Sequence, residues 1–195
     1  MRDFKKSTSA FIHGFRYGVR ALSNILASRY ESLPWPSRPV PYETDPGLPL
    51  ADAIIARVSR TSALWQQFAF IGDLITVAAD GSLTYREEVP VDHVQESSLL
   101  EGAAEHFVVT LEYGEGHDEI DPFDIEAGRN REGDAGHDQR YLHPVIRHWR
   151  GTDLVATHRM DENLENDWAR ERSHRQPLAA FLSAQLAGRP AAAQP

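Results

Sequence analysis

Apolar positions along the chain recur with two periods, and these sort the sequence into helices and strands. In residues 15–30, Phe15, Val19, Leu22, Ile25 and Leu26 fall on one face at helical spacing, while Arg16, Arg20 and Asn24 fall on another. This predicts an amphipathic helix, opened by Gly14 and stopped before Leu33-Pro34-Trp35-Pro36, where prolines remove amide donors and clash with the preceding turn. Residues 50–60 and 62–72 read as two further helices, with Ile54, Ile55, Val58, Leu64, Trp65 and Phe68 as core candidates. Alternation then takes over. Residues 74–79 and 83–89 form a hairpin turned at Asp80-Gly81, where a positive φ is cheap. Residues 91–100 read as a short helix, and Phe107, Val109, Leu111 and Tyr113 mark a strand. A second hairpin joins 145–149 to 154–158 around Gly151. Two helices close the chain. Residues 161–172 carry acids early and Arg170 and Arg172 late, the order a helix dipole favours. Residues 177–187 start on Pro177 and stop before Gly188.

The pattern defines an α+β protein, with an N-terminal helix and a Pro-rich connector followed by a domain of helices and a small antiparallel sheet. Six prolines between Pro34 and Pro49 read as a semi-rigid extended linker. The expected division is a terminal helix segment over residues 1–33, a linker over 34–49, an α+β domain over 50–188 and a disordered tail over 189–195.

Composition narrows the function classes. The absence of cysteine removes disulfides, thiolate metal sites and a Cys nucleophile. No apolar run approaches the roughly 18 residues of a membrane-spanning helix, and the N-terminus carries no secretory pattern. A cytoplasmic protein is the expectation. Residues 1–40 hold seven bases against two acids, whereas the remainder holds 13 bases against 27 acids. An acidic body does not suit a phosphate backbone, so nucleic acid is not an expected partner, nor is a membrane.

Neither a glycine-rich dinucleotide loop nor a nucleophile elbow is present. Gly114-Glu115-Gly116 lacks a third glycine and runs into His117, Asp118 and Glu119, which would repel a pyrophosphate. The acidic stretch from Glu112 to Glu126 lacks EF-hand spacing and reads as solvated surface. His143 and His148 are five apart, so a strand would turn their rings to opposite faces, and His158 and Glu162 would need a shared helix to meet. No metal site is expected.

Residues 7–17 stand apart. Two small hydroxyls, a glycine, aromatics, a histidine and an arginine lead from a polar loop into a helix, whose first-turn N–H groups could meet an anion or an electron-rich carbonyl. An amphipathic helix packed on the core explains the same residues. The string Phe11-Ile12-His13-Gly14-Phe15-Arg16-Tyr17, followed by Val19-Arg20-Ala21-Leu22 and Trp35-Pro36-Ser37, resembles the end of the flavin domain in FAD-dependent oxidoreductases that look like flavin-containing monooxygenases. Shorter matches follow in order: Ser62-Ala63-Leu64-Trp65-Gln66-Gln67-Phe68, Leu111-Glu112-Tyr113-Gly114, Leu142-His143-Pro144-Val145-Ile146-Arg147, and Asp161-Glu162 with Trp168.

In that family two dinucleotide-binding domains precede this region, one for FAD and one for the nicotinamide cofactor. The resemblance implies that Phe11, Ile12, His13 and Gly14 lie near the isoalloxazine ring. It also implies the C-terminal portion of an FAD- and NAD(P)-dependent oxidoreductase, non-catalytic alone. Its partner would be a flavin/dinucleotide-binding domain, in cis or as a separate chain. FAD and NAD(P) enter only with the complete enzyme, and none is expected on the isolated chain. The competing readings are a free-standing acidic interaction module without enzyme activity and a carboxylate-rich metal-binding protein.

Overall fold

Strands β2 (Ile71–Ala78) and β4 (Ala103–Tyr113) are buried on both faces over most of their length, which fixes them at the centre of a sheet. The computed structural model describes residues 11–119, 121, 141–162 and 167–187. Among these, β2 and β4 pair with β3 (Leu83–Pro90), β5 (Leu142–Arg150), β6 (Asp153–Arg159) and the three-residue β1 (Ser37–Pro39). The result is one antiparallel sheet of order β1-β3-β2-β4-β5-β6. The helices are α1 (Ile12–Glu31), α2 (Gly47–Val58), α3 (Ser62–Gln66), α4 (Val91–Val94) and α5 (Gln176–Leu186). The fold is α+β, as the pattern predicts.

Register divides the sheet into two faces. Asp73, Ile75 and Val77 of β2 share a face with Phe107 and Val109 of β4, and with Ile146 and His148 of β5. Helices α2 and α5 cover this face: Arg57 of α2 reaches Asp73, Gln185 of α5 reaches His148, and Phe181 of α5 stacks on His158. Leu50, Ile54, Val58, Leu178 and Leu182 fill the space between, all fully buried. Five residues separate His143 from His148, and the two rings point to opposite faces, as an odd strand spacing requires.

Several elements depart from their expected bounds. Residues 62–72 make one five-residue helix and not eleven helical residues, because Gln67 leaves the helix at φ −130°, Ala69 turns to φ 53° and β2 already claims Ile71 and Gly72. Helix α2 begins three residues before residue 50. The Asp45 carboxylate accepts the Gly47 N–H there, and Pro49 fits a first turn. The expected helix over 91–100 splits into α4 and a 3₁₀ turn at Ser98–Leu100. The described residues of 161–172 do not form the expected helix; a π-helical turn at Glu171–Arg175 leads into α5. Residues 163–166, most of the acidic stretch 120–140 and the tail expected over 189–195 lie outside the described residues.

The proline-rich stretch contributes to the sheet. Ser37–Pro39 pairs with β3, the Trp35 indole N–H donates to the Glu87 carbonyl, and the Tyr42 hydroxyl donates to the Gly81 carbonyl. Trp35, Val40 and Tyr42 are all buried.

Candidate functional site

Helix α1 begins at Ile12, two residues earlier than the sequence suggests, with Phe11 as its N-cap residue. The Phe11 carbonyl accepts the N–H groups of both Gly14 and Phe15. The Ile12 and His13 N–H groups point out of the first turn with no helical carbonyl to bond. Gly14 is therefore a buried, helical residue, not the hinge into the helix, and its backbone needs no positive φ. Phe11, Ile12 and His13 are exposed, Ile12 by 85%. At the other end Ser32 takes a left-handed conformation (φ 56°), and its N–H and that of Leu33 turn back on the Ala27 carbonyl.

The helix carries two apolar sides. Gly14, Tyr17 and Ala21 face the body of the protein and are buried. Phe15, Val19, Leu22, Leu26 and Tyr30 recur at three- and four-residue spacing on the opposite side, and all are exposed, Phe15 by 60% and Tyr30 by 74%. Four of the five positions read as this helix's apolar face thus point to solvent: Phe15, Val19, Leu22 and Leu26. Small residues and one tyrosine make the contact with the body. Periodicity located the stripe but could not say which side the core would take.

Beneath α1 the sheet is irregular. Gly72 pairs with Val89 and Leu74 with Arg86, so Glu87 and Glu88 together oppose Asp73 in a β-bulge. The extra residue forces Glu88 to φ 59° and frees its N–H, which the Asp73 carboxylate accepts at 3.0 Å. Asp73 is fully buried. It also accepts from Arg57 Nε at 2.9 Å, from Arg57 Nη2 at 3.3 Å and from the Tyr85 hydroxyl at 2.9 Å. Burial works against the Arg57 charge, yet the hydrogen bond and charge of Asp73, with Glu87 beside it, hold its pKa above the usual arginine value. Burial first, then the Asp73 charge, pushes the Tyr85 hydroxyl well up. Burial also raises the Glu88 carboxyl, against the pull of Arg20 and Arg57.

Between α1, the Trp35–Arg38 segment and this bulge lies a cleft of about 350 Å³, lined by Arg20, Asn24, Trp35, Arg38, Tyr85 and Glu88 among others. Sequence reasoning singled out none of these as site residues. The signal for the bulge was present: Asp73 is the one acid in the apolar run from Phe70 to Val77. Nothing in the sequence placed Arg57 or Tyr85 against it.

The other titratable clusters serve packing. His148 lies 2.9 Å from Glu105 and shares that carboxylate with Arg150. Arg147 and Thr110 hold the Glu112 carboxylate; burial pushes its pKa up, and the Arg147 hydrogen bond and charge bring it below the usual value. His158 and Glu162 do not meet on a helix: His158 stacks on Phe181, and Glu162 accepts the Tyr141 N–H at 3.3 Å. No group of three His, Asp or Glu able to hold a metal ion occurs among the described residues. No helix among them is long and apolar enough to cross a membrane.

Helix α1 thus sets one side on the body and, among the described residues, leaves a second apolar side exposed. Comparison with known proteins bears out the resemblance that the residues of this helix carry: the sequence is similar to proteins named for an FAD-dependent oxidoreductase domain. The relatives are FAD-dependent oxidoreductase domain-containing protein 2 of Mus musculus, 32% identical over 92% of this chain, and the protein of the same name in Danio rerio, 32% identical over 93%. The chain spans only about 30% and 28% of the length of these two relatives. No family model matches the sequence, and no solved structure does.

Proposed function

We propose that the chain is the C-terminal portion of an FAD- and NAD(P)-dependent oxidoreductase, non-catalytic alone, and that its first 33 residues complete a flavin domain. The observation that carries this reading is the solvent-facing apolar side of α1. A monomeric domain gains nothing from lining one helix with Phe15, Val19, Leu22, Leu26 and Tyr30 in water; a second domain laid on that side buries all five. The relatives are some three times as long and are named for an FAD-dependent oxidoreductase domain, which supports a flavin/dinucleotide-binding domain as the occupant.

The chain's own residues fit contact with the cofactor and not its retention. No glycine-rich loop is present to hold a pyrophosphate. The first-turn N–H groups of Ile12 and His13, which no carbonyl of the helix accepts, would meet the electron-rich edge of a flat ring, with Phe11 and Ile12 offering apolar contact and His13 a hydrogen bond. FAD, when bound by the partner domain, supplies the hydride acceptor. Gly14 is buried in the first turn, so a branched side chain there would disturb how the start of the helix is seated.

The test combines this chain with the dinucleotide-binding portion of the mouse relative and reads flavin content and the NAD(P)H-driven reduction rate. The wild-type chain is expected to associate and raise flavin retention, and Leu22→Asp with Leu26→Asp to abolish association. Gly14→Val is expected to slow reduction. Association that survives the double substitution would overturn the docking role of α1. Unchanged flavin content and rate in all combinations would leave a non-enzymatic interaction module as the better reading. The isolated chain is expected to purify colourless and to oxidise no NAD(P)H; a stoichiometric flavin spectrum would contradict this.

A further inference from the structure

The cleft between α1, Trp35–Arg38 and the β3 bulge has donors and acceptors left over, and they fall in a pattern. Its two arginines, Arg20 and Arg38, make no hydrogen bond among the described residues. Arg38 lies over the Tyr85 ring at 4.4 Å, with its nearest carboxylate contact, to Glu87, at 3.7 Å. Arg20 approaches Glu88 Oε2 to 3.3 Å without hydrogen-bond geometry, and its side chain is 57% exposed. Two planar forks, each suited to a carboxylate, thus line one cleft with their donors unused. Glu88 Oε2, in turn, is a buried acceptor that makes no hydrogen bond. Arg57 pairs with Asp73 at 2.9 Å and with Glu87 at 3.1 Å, so Arg20, Arg38 and Arg57 stand against Asp73, Glu87 and Glu88 and the cleft is close to neutral. The rest of its wall is mostly apolar, with Ala21, Trp35, Pro36 and the Tyr85 ring beside the polar Asn24 and Ser37. A volume of about 350 Å³ lies at the small end of ligand sites, which run from roughly 300 to 1,000 Å³.

A simple anion would leave Glu88 opposed to it, and a simple cation would leave the arginines opposed. We propose that this cleft binds a small α-amino-acid-type zwitterion with an apolar side chain. Arg38 and Arg20 take the carboxylate, Glu88 takes the ammonium as Arg20 swings off it, and Trp35 and Ala21 receive the side chain. The bulge is what brings the acceptor here: a regular strand would place one residue opposite Asp73, whereas the extra residue turns Glu88 through a left-handed conformation, which a non-glycine residue adopts at a cost. The site uses the side and body face of α1, not the apolar stripe, so it stands apart from the flavin-docking role.

The experiment is calorimetric titration of the chain with L-phenylalanine, with 3-phenylpropionate and phenethylamine as the analogues lacking one charge each, supported by thermal melting. Phenylalanine is expected to bind with a measurable heat and to raise the melting temperature at about 10 mM ligand, and each analogue to bind at least about tenfold more weakly, the equivalent of about 1.4 kcal/mol. Arg38→Met is expected to lose about tenfold in phenylalanine affinity while its affinity for phenethylamine stays unchanged. Glu88→Gly, which removes the ammonium partner but relieves the positive φ, is expected to stay folded and to bind phenylalanine no better than 3-phenylpropionate. No heat and no shift with phenylalanine would overturn the proposal. So would equal binding of 3-phenylpropionate, which would make the cleft an anion site, or undiminished binding by either variant.

Discussion

Asp73 shows how one residue can determine a region. It is fully buried in a central strand, and it holds four hydrogen bonds, two from Arg57, one from the Tyr85 hydroxyl and one from the Glu88 N–H. Asp73→Ala removes the acceptor for all of them and leaves the largely buried Arg57 guanidinium only its contacts with Glu87 and Glu88, so a loss of about 3 kcal/mol is expected by urea denaturation. Asp73→Asn keeps the shape and is expected to cost less, though still more than about 1 kcal/mol. His106 sets an acid limit. Burial, with the neighbouring His148 charge second, holds its pKa at about 4. The unfolded chain binds that proton near pH 6.5, so stability is full above pH 6.5 and falls as the pH drops toward 4. The contribution is on the order of 3 kcal/mol. Burial also lowers His93, His143, His158 and His174, which adds to the same trend. Melting temperatures from pH 7 to 4 should decline steeply, and His106→Gln should flatten the curve.

At the scale of elements, legibility followed local chemistry. Both hairpins were readable because Gly81 and Gly151 carry the positive φ their turns need, 86° and 57°. Helix α5 was readable from Pro177 near its start. The helix over residues 62–72 failed because it breaks at Gln67 and the following turn passes through Ala69, a residue that rarely takes φ 53° and gives no sequence signal. Ala69→Gly should therefore stabilise the protein by up to about 1 kcal/mol, read as a rise in denaturation midpoint. Gly72 has the opposite character. A Cβ there would stand 2.7 Å from the Val109 carbonyl oxygen of the adjacent strand, so Gly72→Ala should destabilise by about 1–3 kcal/mol. The candidate site was half legible. Its apolar stripe could be counted from spacing alone, but the side chosen by the core depends on Tyr17 and Ala21 fitting against the body, a tertiary choice. The cleft was not legible, since it joins residues from α1, the proline-rich segment and β3.

For the molecule as a whole, the two sides of α1 define an inner and an outer surface. The outer stripe leaves Phe15, Val19, Leu22, Leu26 and Tyr30 in water together, so the isolated chain should bind a hydrophobic dye and associate as its concentration rises. Leu22→Asp with Leu26→Asp should suppress both while leaving the melting temperature within a few degrees, because neither side chain contributes to the core.

The two margins of the sheet are unlike each other. β1 is three residues long and ends in Pro39, which has no N–H to offer, whereas β6 runs for seven residues and no described strand lies beyond it. A ribbon with one blunt margin and one long one can add a neighbour on a single side. If copies of this chain join edge to edge, β6 against β6, each copy has then used the longer margin of its described sheet. The blunt β1 margin then disfavours adding a third copy, so such growth is expected to stop at the pair.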